Sequence, residues 1–190
     1  MMYARFSFFT ITALLMAGCS STSKPPGTKL ERFSLIAHKN LNHDSAMRVD
    51  LVALYNKNLL AKLKEIPSAE YYKKIPQLRR DNAGSIVIMR WELVPAQILE
   101  GYVPVIPKPD NVEGVLFFAD YNEKGSHRAL IDTDARSTRI ILGEKDIISV
   151  ENNKKAPHTG KDLLKVYPVD ATLIMDNTTA TSGKMGKKDA

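Results

Sequence analysis

From residue 33 to residue 150 the chain mostly alternates apolar and polar side chains with a period of two, the signature of strands with one buried face. Phe33, Leu35 and Ala37 alternate with Ser34, Ile36 and His38 in a first strand. Met47, Val49, Leu51, Ala53 and Tyr55 share one face of a second, with Arg48 and Asp50 opposite at its start. The joining stretch, Asn40-Leu41-Asn42-His43-Asp44-Ser45, is made of turn-forming residues. The period then lengthens. Leu59, Leu60, Leu63 and Ile66 recur at helical spacing ahead of Pro67, and Ser68 is placed to cap a second short helix carrying Tyr71, Tyr72 and Ile75. This insertion is expected on the surface of the sheets.

Strands resume at Ile86 to Val94, where Val87, Met89, Trp91 and Leu93 form one face. Tyr102 to Ile106 contains Pro104, which cannot donate to a ladder, so an edge strand is expected there. Val115-Leu116-Phe117-Phe118-Ala119 is the most apolar run and reads as the central strand. Asn122-Glu123-Lys124-Gly125 is a hairpin signal leading to Arg128-Ala129-Leu130-Ile131. Arg139 to Leu142 and Ile147 to Val150 complete the series. Short strands at this spacing predict a mainly β, two-sheet sandwich with a helical insertion after the second strand.

The ends depart from this pattern. Arg5, the apolar stretch Phe6 to Ala17 and the small pair Ala17-Gly18 have the three parts of a secretion signal, and the stretch is shorter than the roughly 20 residues of a membrane span. The chain's single cysteine, Cys19, follows directly in Leu15-Met16-Ala17-Gly18-Cys19. This ending resembles a bacterial lipobox, although Met16 stands where leucine is usual. The resemblance implies that residues 1–18 are removed and that Cys19 is acylated and becomes the new N-terminus. Residues 19–29 read as the lipidated cysteine and a flexible tether, since Ser20 to Thr28 is rich in Ser and Thr and holds Pro25-Pro26-Gly27. Ser20, rather than aspartate, follows the cysteine, which by the enteric sorting rule implies the outer membrane. Residues 30–150 form the sandwich, and 151–190 a polar extension expected to be partly disordered, within which 163–167 and 171–175 could dock as extended segments. Asn177-Thr178-Thr179 matches a glycosylation sequon by chance in such a setting.

Charge and chemistry change this picture little. The 27 lysines and arginines against 21 acidic residues give a formal +6, scattered along the chain rather than gathered in a recognition motif, so no nucleic-acid partner is expected. The charge would still attract anionic lipid headgroups. Four histidines, His38, His43, His127 and His158, lack metal-site spacing. Ser126 in Gly125-Ser126-His127 lacks a nucleophile elbow. His43, Asp44 and Ser126 would serve a hydrolase only if they converged in one pocket. No catalytic residue, metal or cofactor is expected, and Trp91, Phe117 and Phe118 read as core.

The order of these elements resembles the TssJ (VasD/SciN-like) lipoproteins of type VI secretion systems. The similarity is carried by the lipobox, the loop Leu41-Asn42-His43-Asp44, the helical excursion with Tyr71-Tyr72, the turn Leu93-Val94-Pro95-Ala96-Gln97, the apolar strand Gly114 to Tyr121 and the pair His127-Arg128. It spans about Leu30 to Val150. Ala96 replaces the glycine of the family, and His127 stands where tryptophan is common. The resemblance implies a transthyretin-like β-sandwich with added helices, lipid-anchored in the outer membrane and facing the periplasm. It implies binding to the periplasmic C-terminal region of a TssM-like inner-membrane protein and, indirectly, association with a TssL-like protein. The partner loop maps to Asn40, Leu41, Asn42, His43, Asp44, Ser45 and Ala46. The alternative expectation is a periplasmic lipoprotein of the same fold that binds a small ligand or serves envelope maintenance.

Overall fold

The structure, a computed structural model, describes residues 24–155. The signal sequence, Cys19, the two segments expected to dock after residue 160, His158 and the sequon lie outside the described residues.

Eight strands form two four-stranded sheets. β1 (Arg32–Ala37), β4 (Ile98–Tyr102), β7 (Ser137–Leu142) and β8 (Ile147–Asn153) make the first sheet, in the order β4-β1-β7-β8. β1 runs parallel to β7 and antiparallel to β4, so this sheet is mixed. β2 (Met47–Leu54), β3 (Ile86–Leu93), β5 (Gly114–Ala119) and β6 (Arg128–Ile131) make the second, antiparallel throughout, in the order β3-β2-β5-β6. The inward faces meet in one core, where Phe33 lies 5.7 Å from Trp91 and 6.0 Å from Phe117, centroid to centroid. Alternation predicts which side chains these are: Phe33, Leu35 and Ala37 of β1, and Val49, Leu51 and Ala53 of β2, are all buried.

The helical insertion makes a third layer. α1 (Lys57–Leu63) begins at Asn56, whose side chain accepts a hydrogen bond from the Leu59 N–H at 3.0 Å. α2 (Ser68–Asp81) is longer than the short helix expected and continues through Pro76. The proline removes one internal bond, but the apolar residues Tyr71, Ile75 and Leu78 on either side of it all pack on the sheet. Ser68 does not cap α2. It is the first residue of the helix, with Pro67 at the capping position, and its hydroxyl donates instead to the His127 carbonyl at 2.6 Å. Beneath the helices lies a second core of Val52, Leu54, Leu116 and Phe118, with Tyr71 stacked on Phe118 at 3.9 Å and 8°. β2 and β5 are therefore covered on both faces, which explains the uninterrupted apolar run of β5.

The fourth strand is displaced from its expected place. It spans Ile98–Tyr102 rather than Tyr102 to Ile106, though it is an edge strand as anticipated. Ile98 and Leu99 pair with Ile36 and Leu35, the register slips between Phe33 and Leu35, and Gly101 takes a positive φ of 66°. The irregularity hides the strand's alternation. β8 runs to Asn153, three residues past Val150.

The turn 94–97 has the hydrogen bond Gln97 N–H to Val94 carbonyl at 3.1 Å, with Pro95 at its second position and Ala96 at φ 63°. This is type II geometry, which asks for glycine at the position Ala96 holds. Ala96→Gly is expected to raise the unfolding free energy by up to about 1 kcal/mol, the left-handed penalty being partly offset by glycine's unfolded-state entropy. A urea titration checks this; a loss of stability would show that the turn is unstrained.

Candidate functional site

Strand direction gives the sandwich two distinct ends. At one end lie the β1–β2 loop, the 94–97 turn, residues 120–127 and the β7–β8 turn. The other end holds Gly114, the Leu54 terminus of β2 and the residues by which the N-terminal segment joins the domain. There the Gly27 N–H donates to the Val112 carbonyl at 3.0 Å, Thr28 to Pro109 at 2.9 Å and Lys29 to Thr133 at 2.9 Å. Gly27 has φ 73°, and a Cβ on it would meet Asp110 Cα at 3.3 Å, so glycine fits this close approach. The stretch expected as tether is thus fastened to the sandwich from Gly27 onward, opposite the β1–β2 loop.

The loop Asn40–Ala46 is a built structure. Asn42, His43 and Asp44 have φ of 48°, 55° and 58°, a single left-handed turn closed by the Ser45 N–H to the Leu41 carbonyl at 3.1 Å. Asn, Asp and His tolerate this region better than most side chains, and the surroundings must still hold it. Leu41 is fully buried in the sandwich core. Asn42, 2% exposed, accepts the Asn122 N–H on its Oδ1 at 2.8 Å and donates through Nδ2 to the Ala46 carbonyl at 3.4 Å. Asn40 donates to Glu144 at 2.6 Å and is also bonded to His38. His43 lies between two carboxylates, with Nε2 3.0 Å from Glu123 and Nδ1 3.2 Å from Glu144.

The loop is therefore clipped to both sheets, through Glu123 of the β5–β6 connection and Glu144 of the β7–β8 turn. Those supports are themselves fixed. His127, 4% exposed, places Nδ1 2.9 Å from Asp146 and Nε2 3.0 Å from the Glu123 carbonyl. The Tyr121 hydroxyl donates to the Asp146 carbonyl at 2.8 Å, and burial with the nearby Asp146 charge holds the phenol well above its ordinary pKa. Gly125 leaves room for the His127 ring, which an added Cβ would meet at 2.4 Å.

The seven residues expected in this loop thus divide by role. Leu41 and Asn42 point inward and anchor; His43, Asp44 and Ala46 are exposed, with Asn40 and Ser45 half-buried. Val94 (44% exposed) and Ile98 (51%) add apolar surface at the same end, beside His38, whose carbonyl accepts the Ala96 N–H at 3.1 Å. Sequence reading missed the supports Glu123, Glu144 and Asn122, which lie about 80 to 104 residues from their partners, and Asp146, 19 residues from His127. Both His43 ring nitrogens are taken by carboxylates, and Ser126 serves through its carbonyl, which accepts the Ser68 N–H at 3.0 Å. Among the described residues no group of three or more His, Cys, Asp or Glu side chains is placed to hold a metal ion.

Asn42→Ala is expected to cost about 2 kcal/mol, since it orphans the Asn122 N–H and puts alanine at φ 48°. Amide exchange across 40–46 should accelerate along with it. Unchanged exchange there would mean the loop holds its shape without this anchor.

No protein-family model and no curated protein sequence matches the chain. Solved structures do. The type VI secretion lipoprotein TssJ1 from Pseudomonas aeruginosa superposes with a TM-score of 0.50 at 18% identity, over 70% of this chain and 100% of that one. Serratia marcescens Lip, a membrane-bound component of the type VI secretion system, gives 0.42 at 13% identity, over 63% and 97%. The fold assignment rests on the first. With two four-stranded sheets, a helical layer after β2 and a clipped β1–β2 loop, this chain has the fold of the type VI secretion lipoprotein TssJ1.

Proposed function

We propose that this chain is an outer-membrane lipoprotein of a type VI secretion membrane complex, anchoring it by binding the periplasmic C-terminal region of a TssM-like inner-membrane protein. A TssL-like protein joins indirectly, through that partner. The observation that carries the proposal is the placement of a rigid, exposed loop at the end of the sandwich opposite the attachment of the N-terminal segment. A domain held to a membrane by one end and to a partner by the other is a mechanical link. Seven residues, 20–26, separate Cys19 from the fastened Gly27, a reach of at most about 29 Å. The loop's pre-formed left-handed turn lowers the ordering cost of binding. His43, Asp44 and Ala46, with Val94 and Ile98, would present a small polar and apolar contact surface in which a few side chains dominate the affinity.

The test is co-purification of the full chain with a folded TssM-like periplasmic domain. Binding is expected, and Asp44→Asn with Ala46→Glu, which keeps a side chain suited to the left-handed position, should weaken it about tenfold or more, some 1.4 kcal/mol, without lowering the melting temperature. No binding between two folded partners would overturn the proposal.

A further inference from the structure

The formal charge of +6 is unevenly placed. Between Lys57 and Asp81, the span of α1 and α2, seven lysines and arginines face three acidic residues. All seven cations are exposed. On the outer side of the first sheet cations are balanced locally, as Arg139 is by Glu100 and Glu151 and Arg136 by Glu31. On the helices Lys74 pairs with Glu70, and seven cations against three acidic residues leave a net surplus of positive charge whatever pairs form. None of the large exposed apolar side chains of the described residues lies on α1 or α2. This face thus suits an anionic surface met at its polar level, rather than an apolar groove or an inserted helix.

What lies within reach is indicated by the other end of the tether. Gly27 is bonded to Val112, Glu113 donates to the Leu54 carbonyl at 2.7 Å, and α1 begins three residues after Leu54. Leu60 of α1 packs so closely on Gly114 that a Cβ there would meet it at 2.8 Å. The N-terminal segment therefore leaves the domain beside the start of the basic layer.

We infer that the outer face of α1 and α2 lies against anionic phospholipid headgroups of the membrane that holds the Cys19 lipid, fixing the orientation of the sandwich as well as its location. The inference rests on the lipoprotein reading above. Each cation near an anionic bilayer surface contributes about 1 kcal/mol, or about fivefold in partitioning. Lys62, Lys64 and Lys73 together then favour this orientation by about a hundredfold.

The experiment uses the full, lipid-modified chain in vesicles of phosphatidylglycerol and phosphatidylcholine in equal parts, and of phosphatidylcholine alone. A fluorophore is placed by Ala61→Cys or Gln77→Cys on the helices, or by Ser137→Cys on the outer face of the first sheet, and a headgroup-attached quencher reads proximity. Stronger quenching at the two helix sites than at Ser137→Cys is expected with phosphatidylglycerol only. The triple change Lys62→Glu, Lys64→Glu and Lys73→Glu should abolish the difference while the chain stays on the vesicles. Equal quenching of both faces, or quenching indifferent to phosphatidylglycerol or to the triple change, overturns the inference and leaves an acidic protein partner or plain solvation for this face. A chain that does not associate with vesicles at all refutes the lipoprotein reading instead.

Discussion

Arg90→Met is expected to lower the unfolding free energy by about 3–5 kcal/mol, because it strands a buried charge. Asp50 lies on the helix-facing side of β2 and is fully buried. Arg90 of β3 reaches it with two parallel hydrogen bonds, Nε to Oδ1 and Nη2 to Oδ2, both 2.8 Å. The Tyr71 hydroxyl of α2 donates to the same Oδ2 at 2.9 Å. The paired carboxylate holds the Arg90 guanidinium above its ordinary pKa, and burial pushes the Tyr71 and Tyr72 phenols well above theirs. Arg48, bonded to Asp120 at 3.0 Å, lies 5.1 Å from the centre of the Tyr72 ring and closes the cluster on its outer side. Methionine keeps much of the arginine's volume and leaves the carboxylate one strong donor. The double variant Asp50→Asn, Arg90→Met should recover a large part of the loss, since no charge then stays buried. Urea titrations of the two variants decide the matter. A loss below about 1 kcal/mol for Arg90→Met would place the pair with surface ion pairs.

Cys19→Ser is expected to remove the protein from membrane fractions while leaving the domain's melting temperature unchanged. Acylation through this thiol, together with the acylated new N-terminus that follows cleavage, would supply several chains, and one chain alone binds a membrane only marginally. No bond of the described domain depends on Cys19, which lies eight residues ahead of the first fastened residue, Gly27. Persistence of the serine variant in outer-membrane fractions, in cells lacking the TssM-like partner, would refute anchoring by the lipid. Release accompanied by a lower melting temperature would show instead that the N-terminal segment supports the fold.

The sandwich was legible in the sequence where periodicity is a local property. The Phe33, Val49 and Trp91 faces follow from alternation alone, and the central place of β5 follows from its unbroken apolar run. The fourth strand was misplaced because Gly101 and the register slip beside Phe33 break the period that reveals a strand. Ser68 looked like a cap because serine before an apolar helical pattern usually is one. Its hydroxyl was drawn away by a carbonyl 59 residues downstream. Asp50 carried the same local signal as Arg48, a polar residue on the outward face of a strand. One became wholly buried and the other remained exposed, because α2 covers only part of that face.

The sequence by itself determined the strands other than the fourth and their inward faces, the existence of the helical excursion and the loop Asn40–Ala46 as a turn, since each depends on side chains a few positions apart. The tertiary structure alone decided that this loop is rigid, that Asn42 anchors while His43 and Asp44 face outward, and that the chain's attachment lies at the far end beside a basic helical layer. Those facts come from contacts across about 60 to 105 residues, such as Asn40 to Glu144 and Asn42 to Asn122. Such contacts exist only once the sheets have closed on one another, and no local pattern of residues encodes their partners.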